Sequence, residues 1–238
     1  MTGQSTRQDE TQAGPASSEF IPWQDVNRAL RLAVILAVSA ALSLYIMYVS
    51  WRWTSTPLSL FDGVLSPAGV VPLYPSAWLT WGHASITAVF LVTNLVNRRY
   101  GEQVAMAHVF ASTVIGGFAA MAMASGMIRL PSTPAFVPGT RQVAALLMGI
   151  MLGQAMSVLV FDRTRGVEWW NAPAYASLTA ALIAMPVFYL FAFAGTDWIW
   201  LNHMAIDIAL KAVMSFALLV PYFLLRPIIR PSEGLGGY

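Results

Sequence analysis

Residues 204–225 read MAIDIALKAVMSFALLVPYFLL. Two charges, Asp207 and Lys211, interrupt a run that is otherwise almost wholly apolar. At 1.5 Å per residue, roughly 20 residues of helix span the ~30 Å hydrocarbon layer of a bilayer, so this run predicts a transmembrane helix. Backbone polar groups find no water in lipid and must pair within the segment, which excludes irregular chain there. Working back toward the N-terminus, five more apolar stretches have comparable length. They are 29–50 (with Arg31 near its polar end), about 78–97, 104–128, 143–161 and 172–195. The expected fold is an all-α membrane protein: a six-transmembrane-helix bundle forming one domain over 29–230, followed by a short C-terminal tail at 231–238.

Composition agrees. Of 238 residues, 57% are hydrophobic and 10% charged, against about 25% charged in a soluble domain. Mean hydropathy is +0.62. These values exclude a disordered chain, a nucleic-acid partner and an ordinary soluble enzyme, and make the lipid bilayer the first partner. A net charge of +2 gives no argument for an anionic ligand. With no Cys in the chain, disulfides, thiolate metal sites and Cys nucleophiles are excluded.

Residues 1–28 are polar, contain no apolar core of a signal peptide, and predict a flexible N-terminal tail. Phe20, Ile21, Pro22 and Trp23 are candidates for the headgroup layer, because Trp favours that depth. The first connection, 51–77, carries Pro57, Pro67, Pro72 and Pro75 and reads either as an ordered or re-entrant cap or as a plain polar loop. A second proline cluster, Pro131, Pro134 and Pro138, follows the third span. With both termini inside, the cytoplasmic face holds Arg7, Arg28, Arg31, Arg98, Arg99, Arg163, Arg165, Arg226 and Arg230. The outer face then holds Arg52, Arg129 and Arg141, an imbalance that predicts an N-in, C-in topology.

Polar residues inside the spans are the candidates for function. Asp207 and Lys211 are four apart and share one helix face. Either charge alone in lipid costs a few kcal/mol, so the two should pair and face the bundle interior. They read as a substrate-binding or proton-coupled pair, or as an ion pair that locks helix packing. Lys211 is the one Lys of the chain. Gln154, beside Gly153, offers a donor and an acceptor to a planar ligand such as a nucleobase, or else an interhelical hydrogen bond at a close glycine contact. His83, Thr87, Asn94 and Asn97 on the second span form a possible polar stripe, or polar glue between helices. His108 and His203 read as packing or interface residues. No cluster has metal spacing, so no metal site is expected, and no motif asks for a cofactor. Gly116, Gly117 and Gly126, among several alanines of the third span, permit close helix approach.

Two stretches carry a resemblance. One is Trp81-Gly82 followed by Phe90-Leu91-Val92-Thr93-Asn94-Leu95-Val96-Asn97-Arg98-Arg99-Tyr100-Gly101. The other is Gly153-Gln154, then Val160-Phe161-Asp162-Arg163, then Trp169-Trp170-Asn171-Ala172-Pro173. With Asp207-Ile208-Ala209-Leu210-Lys211 and Pro221, they resemble the queuosine precursor transporter family, also called the putative vitamin uptake family. The resemblance covers about 78 to the end of the sixth span. It implies a six-helix bacterial inner-membrane protein that takes up 7-deazaguanine precursors of a tRNA nucleoside, with Asn97, Gln154, Asp207 and Lys211 in or near the substrate cavity. Against the family pattern, Asn94 stands where an Asp is usual, a further Asp is missing near Ser157, and the fifth span reads Ala176-Ser177-Leu178-Thr179 and Ala184-Met185 in place of a run containing Asp.

Three functions follow from these readings. A permease for a small planar heterocycle would use Asp207 and Lys211 as polar anchors, Gln154 to read the edge of the base, and Asn94 and Asn97 along the stripe. An accessory membrane subunit would have kept the fold and lost transport with the missing carboxylates. Its apolar outer faces and extra tail would dock a membrane-protein partner, whereas a monomer or homo-oligomer would go with the permease. An enzyme is disfavoured, since no nucleophile–base pair, metal cluster or phosphate-cradling loop is present.

Overall fold

The computed structural model describes residues 23–62, 75–127 and 139–232. The described chain is helical and contains no β-strand; an isolated bridge pairs Pro57 with Thr80. In order, the helices are α1 (Trp23–Arg52), α2 (Trp81–Ser85), α3 (Ala88–Tyr100), α4 (Glu102–Ala124), α5 (Thr140–Arg163), α6 (Asn171–Phe193), α7 (Trp200–Ala217) and α8 (Leu219–Leu225). Among the described residues, five helical runs are long and apolar enough to cross a bilayer: Asn27–Ser55, Glu102–Ala124, Thr140–Arg163, Asn171–Phe193 and Trp200–Leu225.

The second apolar stretch departs from expectation, because it is two helices. Around Ile86 and Thr87 the backbone tightens to three-residue hydrogen bonds, from Thr87 N–H to Ala84 O, Val89 N–H to Ile86 O and Phe90 N–H to Thr87 O. The cause lies partly in packing. A Cβ on Gly82 would stand 2.5 Å from Ser50 O, so α2 is pressed against the end of α1. Ser85 Oγ also donates to Ser50 Oγ at 2.9 Å. The last span is broken too, between Ala217 and Leu219. Pro221 has no N–H to give the Ala217 carbonyl, and its ring crowds that turn. At the N-terminal side, α1 begins at Trp23, six residues before the apolar stretch at 29, so residues 23–28 are helix and not tail. Residues 1–22, the proline cluster 131–138 and the tail from 233 lie outside the described residues.

The described parts of the first connection form an ordered cap. Leu58 N–H donates to Leu79 O and Trp81 N–H to Thr56 O, both at 3.0 Å, and Leu58 is fully buried. Ser76 N–H donates to Asp62 Oδ1 at 3.0 Å, tying the two ends of the connection together.

Small residues set equally tight packing between α5 and α6. A Cβ on Gly149 would meet Ala184 O at 2.5 Å, and one on Gly153 would meet Ala180 O at 2.6 Å. The two backbones therefore touch with no side chain between them, the association mode of small-residue interfaces in lipid. The glycines of α4 approach less closely to backbone: Gly116 faces Leu44 of α1 and Gly117 faces Leu147 of α5 through side chains. Helix α3 is the inner element, packing against α1, α4, α5 and α6. Val92 and Val96 bury against Ala105 and Val109 of α4 and Val158 of α5, while Phe90 buries against Ala180, Ala184 and Tyr189 of α6. The single residue Gly101 (φ +85°) turns α3 into α4, a backbone angle that side chains other than glycine rarely adopt.

The arginines segregate. Arg99 donates to the carbonyls of Arg230 and Pro231, Arg98 to Ile229 O, and Arg165 to Asn97 O, which gathers the ends of α3, α5 and α8 at one end of the bundle. A cavity of about 990 Å³ at that end is lined by Arg28, Arg31, Tyr100, Glu102 and Asp162 among others. Arg52 and Arg141 lie at the opposite end, where Arg141 donates to Phe191 O and Ala194 O.

Candidate functional site

Helix α7 turns a polar row toward the protein, beside Trp200, Met204 and Ile208 which pack on the core, and turns other apolar residues outward. His203, Asp207, Lys211 and Ser215 recur every four residues and so lie along one face. Asp207 and Lys211 are 1% and 2% exposed, while Leu201, Val213 and Phe216 of the same helix are exposed. Lipid supplies no hydrogen bonds, so a helix with these residues turns them toward its neighbours.

Lys211 Nζ donates to Asp207 Oδ1, forming a buried ion pair. The second carboxylate oxygen, Oδ2, accepts from Tyr189 Oη of α6 at 3.4 Å. Lys211 Nζ also donates to the carbonyl of His83 in α2 at 3.4 Å. Three elements therefore converge on one neutral pair. The His83 ring is turned back to its own helix start, where Nδ1 accepts from Thr80 N–H at 3.2 Å and lies 2.9 Å from Thr80 Oγ1. In a dry interior each member of such a pair offsets the desolvation of the other, and neither is tolerated alone.

A second polar group lies further along α3. Thr93 Oγ1 donates to Gln154 Oε1 at 2.8 Å, with both side chains buried. Next to it, Asn94 Nδ2 donates to Ser177 Oγ at 2.9 Å and to Pro173 O at 3.3 Å. Asn94 Oδ1 is buried with no hydrogen-bond partner among the described residues, as is Thr87 Oγ1 two turns away on the same face of α3. Buried acceptors without a partner are uncommon in folded proteins. Phe90 stands on that face between Thr87 and Asn94, packed on Tyr189.

Asn97 belongs to a third group, at the arginine end. Its Nδ2 donates to Val158 O at 3.0 Å, and Arg165 Nη2 donates both to its Oδ1 at 3.1 Å and to its carbonyl at 2.6 Å. Arg165 Nε is in turn paired with Asp162 at 2.5 Å. Hydrogen bonding thus pairs Asp207 with Lys211, Gln154 with Thr93 and Asn94 with Ser177, the last two side by side because Thr93 and Asn94 are consecutive, and it holds Asn97 in a clasp that joins α3 to the loop after α5. All five sequence candidates are buried.

Two participants were not singled out in the sequence. Tyr189 is the buried one of two tyrosines in its apolar span, Tyr175 being exposed, and the signal available is its hydroxyl, which needs a partner in hydrocarbon. The His83 carbonyl has no sequence signal, because any residue supplies one. His108 is a packing residue as expected, its ring nitrogens 2.9 Å from Ser39 Oγ and 3.4 Å from Ser43 Oγ across the α1–α4 contact. Among the described residues no group of His, Asp and Glu could hold a metal ion.

The stretch that contains all three polar groups is also the stretch shared with known proteins. The family described as "Putative vitamin uptake transporter" matches residues 80–225. The chain belongs to that family. Its helices and family place it in a lipid bilayer as a multi-pass membrane transporter. The queuosine precursor transporter of Escherichia coli (strain K12) is 29% identical over 158 residues, covering 60% of this chain and 71% of the relative. A probable queuosine precursor transporter of Haemophilus influenzae is 28% identical over 172 residues, covering 66% of this chain and 72% of the relative. No solved structure matches. The matched region starts one residue before α2 and ends with α8, so α1 is the one described helix wholly outside it.

Proposed function

We propose that the protein is a bacterial inner-membrane permease that takes up a 7-deazaguanine-type or related planar heterocycle. The observation that carries this reading is the buried Asp207–Lys211 pair with Tyr189 on its free carboxylate oxygen, in a chain whose relatives are named queuosine precursor transporters. A flat base presents N–H donors and ring acceptors at its edge. Asp207 supplies an acceptor, Lys211 and Tyr189 supply donors, and Phe90 supplies an apolar face one turn from Asn94. Gln154 and Asn94 Oδ1, which has no partner among the described residues, extend the acceptor set. The α2–α3 pair acts as the sixth span, divided at Ile86–Thr87 where it borders the site. Both termini lie in the cytoplasm, with the arginine end facing inward.

The test is uptake of labelled 7-deazaguanine precursor in a queuosine-starved host lacking its own transporter. Expression of the chain is expected to restore queuosine in tRNA, and Lys211→Ala to abolish it. No uptake from well-expressed protein rejects the substrate. Uptake that survives Lys211→Ala rejects the mechanism.

A further inference from the structure

The buried pair is reached by a file of rings. Trp198, 41% exposed in the turn before α7, stacks near-parallel to Tyr189 (18° between planes, centroids 6.2 Å apart) and packs on Phe193 at 4.4 Å. Tyr189 delivers its hydroxyl to Asp207. Trp198 also meets His203, centroids 4.1 Å apart with the planes 40° apart, and His203 meets Trp78 at 4.5 Å with the planes 55° apart. The imidazole of His203 therefore lies between two indoles contributed by separate parts of the chain. Its Nδ1 lies 3.0 Å from Ile199 O, one turn back on its own helix, so the ring is hinged on α7 and filed between Trp78 and Trp198. His203 is one turn before Asp207 on the same face, at the end of the bundle opposite the arginines.

We propose that Trp78 and Trp198 form an aromatic clamp that first captures the flat substrate, and that His203 is the ring that fills the clamp while it is empty. The inference rests on the permease reading above and adds to it the place where the guest is first bound. Two indoles within about 4.5 Å of one flat heteroaromatic ring suit a nucleobase-like guest: both are tilted against His203, by 55° and 40°, and levelling onto a larger guest would cover both of its π-faces, where stacking is worth most. His203 has the dimensions of the five-membered half of such a guest, and its swing away from the clamp breaks contacts that the guest remakes. From the clamp the guest passes along Tyr189 to Asp207 without leaving aromatic surface.

Packing and capture predict different signs. If the three rings only stabilise the end of the bundle, removing any one of them damages the same contact. If His203 competes with the guest, its removal helps binding where removal of an indole hurts. The experiment measures initial uptake of labelled 7-deazaguanine precursor by wild type and by Trp198→Leu, Trp198→Phe and His203→Ala, with each variant's membrane abundance determined in parallel. Trp198→Leu is expected to raise KM about tenfold with little change in maximal rate, the loss that follows removal of one base–aromatic stack. Trp198→Phe restores most of the affinity, and His203→Ala lowers KM below wild type. Wild-type uptake with KM unmoved in Trp198→Leu overturns the clamp alone, and so does a raised KM in His203→Ala. The His203→Ala result decides even if Trp198→Leu fails to accumulate. No uptake by well-expressed wild type overturns the substrate assignment and the guest of the clamp together.

Discussion

Replacing Lys211 by Met removes the ammonium and keeps most of the side-chain volume. Asp207 is then left 1% exposed with Tyr189 Oη at 3.4 Å as its remaining side-chain partner, a long hydrogen bond that does not replace a cation. Removing one member of a buried ion pair costs about 3–5 kcal/mol. For a chain of this size 1 kcal/mol corresponds to about 2–4 °C in the unfolding midpoint, so a fall on the order of 10 °C is expected in detergent. Asp207→Leu leaves Lys211 with the His83 carbonyl at 3.4 Å and loses a similar amount. The double variant Asp207→Leu, Lys211→Met removes both charges together, and apolar replacement of a whole buried pair is often neutral or stabilising. Its midpoint should return to within a few degrees of wild type. Midpoints from a fluorescence or light-scattering melt of all four proteins close the cycle. Additive losses in the double variant would refute the coupling. Uptake is the second readout: the double variant is expected to be stable and inactive, and a stable, active double variant would reduce the pair to a packing element.

Gly153→Val drives a methylated carbon into the Ala180 carbonyl, which stands 2.6 Å from the ideal Cβ position, and into Ala184 Cβ at 2.9 Å. It should destabilise by about 1–3 kcal/mol or more, read as a lower melting midpoint, whereas Gly126→Ala meets no neighbour but a φ of +76° and should cost less. Thr93→Val keeps shape and strands Gln154 Oε1 in the interior, for a loss of about 1–3 kcal/mol that Gln154→Leu in the same chain should largely recover. Topology is directly testable because the chain has no Cys. Ser232→Cys should react with a membrane-impermeant maleimide only after lysis, and Asp197→Cys in intact spheroplasts; the reverse pattern would invert the assignment.

Much of the bundle was legible because lipid makes a simple demand: about 20 apolar residues in a row have one available conformation. The Asp207–Lys211 pair was legible for the same reason, since two charges one turn apart in such a run have few other partners. The division of the second stretch at Ile86–Thr87 was not legible, as it follows from how closely Gly82 approaches Ser50 across 32 positions of chain. Asn97 was read as part of a polar stripe, and its spacing gave no hint of Arg165, 68 residues on, which occupies both its side-chain and main-chain oxygens. Periodicity finds the face of a helix, but the identity of the group across from it is a tertiary fact. The third span is rich in glycines, yet those glycines meet side chains, and the helix-long backbone contact belongs to Gly149 and Gly153, which are fewer but are spaced by four so as to lie in one line.

That line has a mechanical consequence. Helices α5 and α6, seated carbonyl against glycine, lack the yielding layer of side chains over which neighbouring helices slide, so they behave as one stiff plank. Any rearrangement that exposes Asp207 first to one side of the bilayer and then to the other must be carried by the pieces leaning on that plank. The chain is already jointed there, at Ile86–Thr87 and again above Pro221.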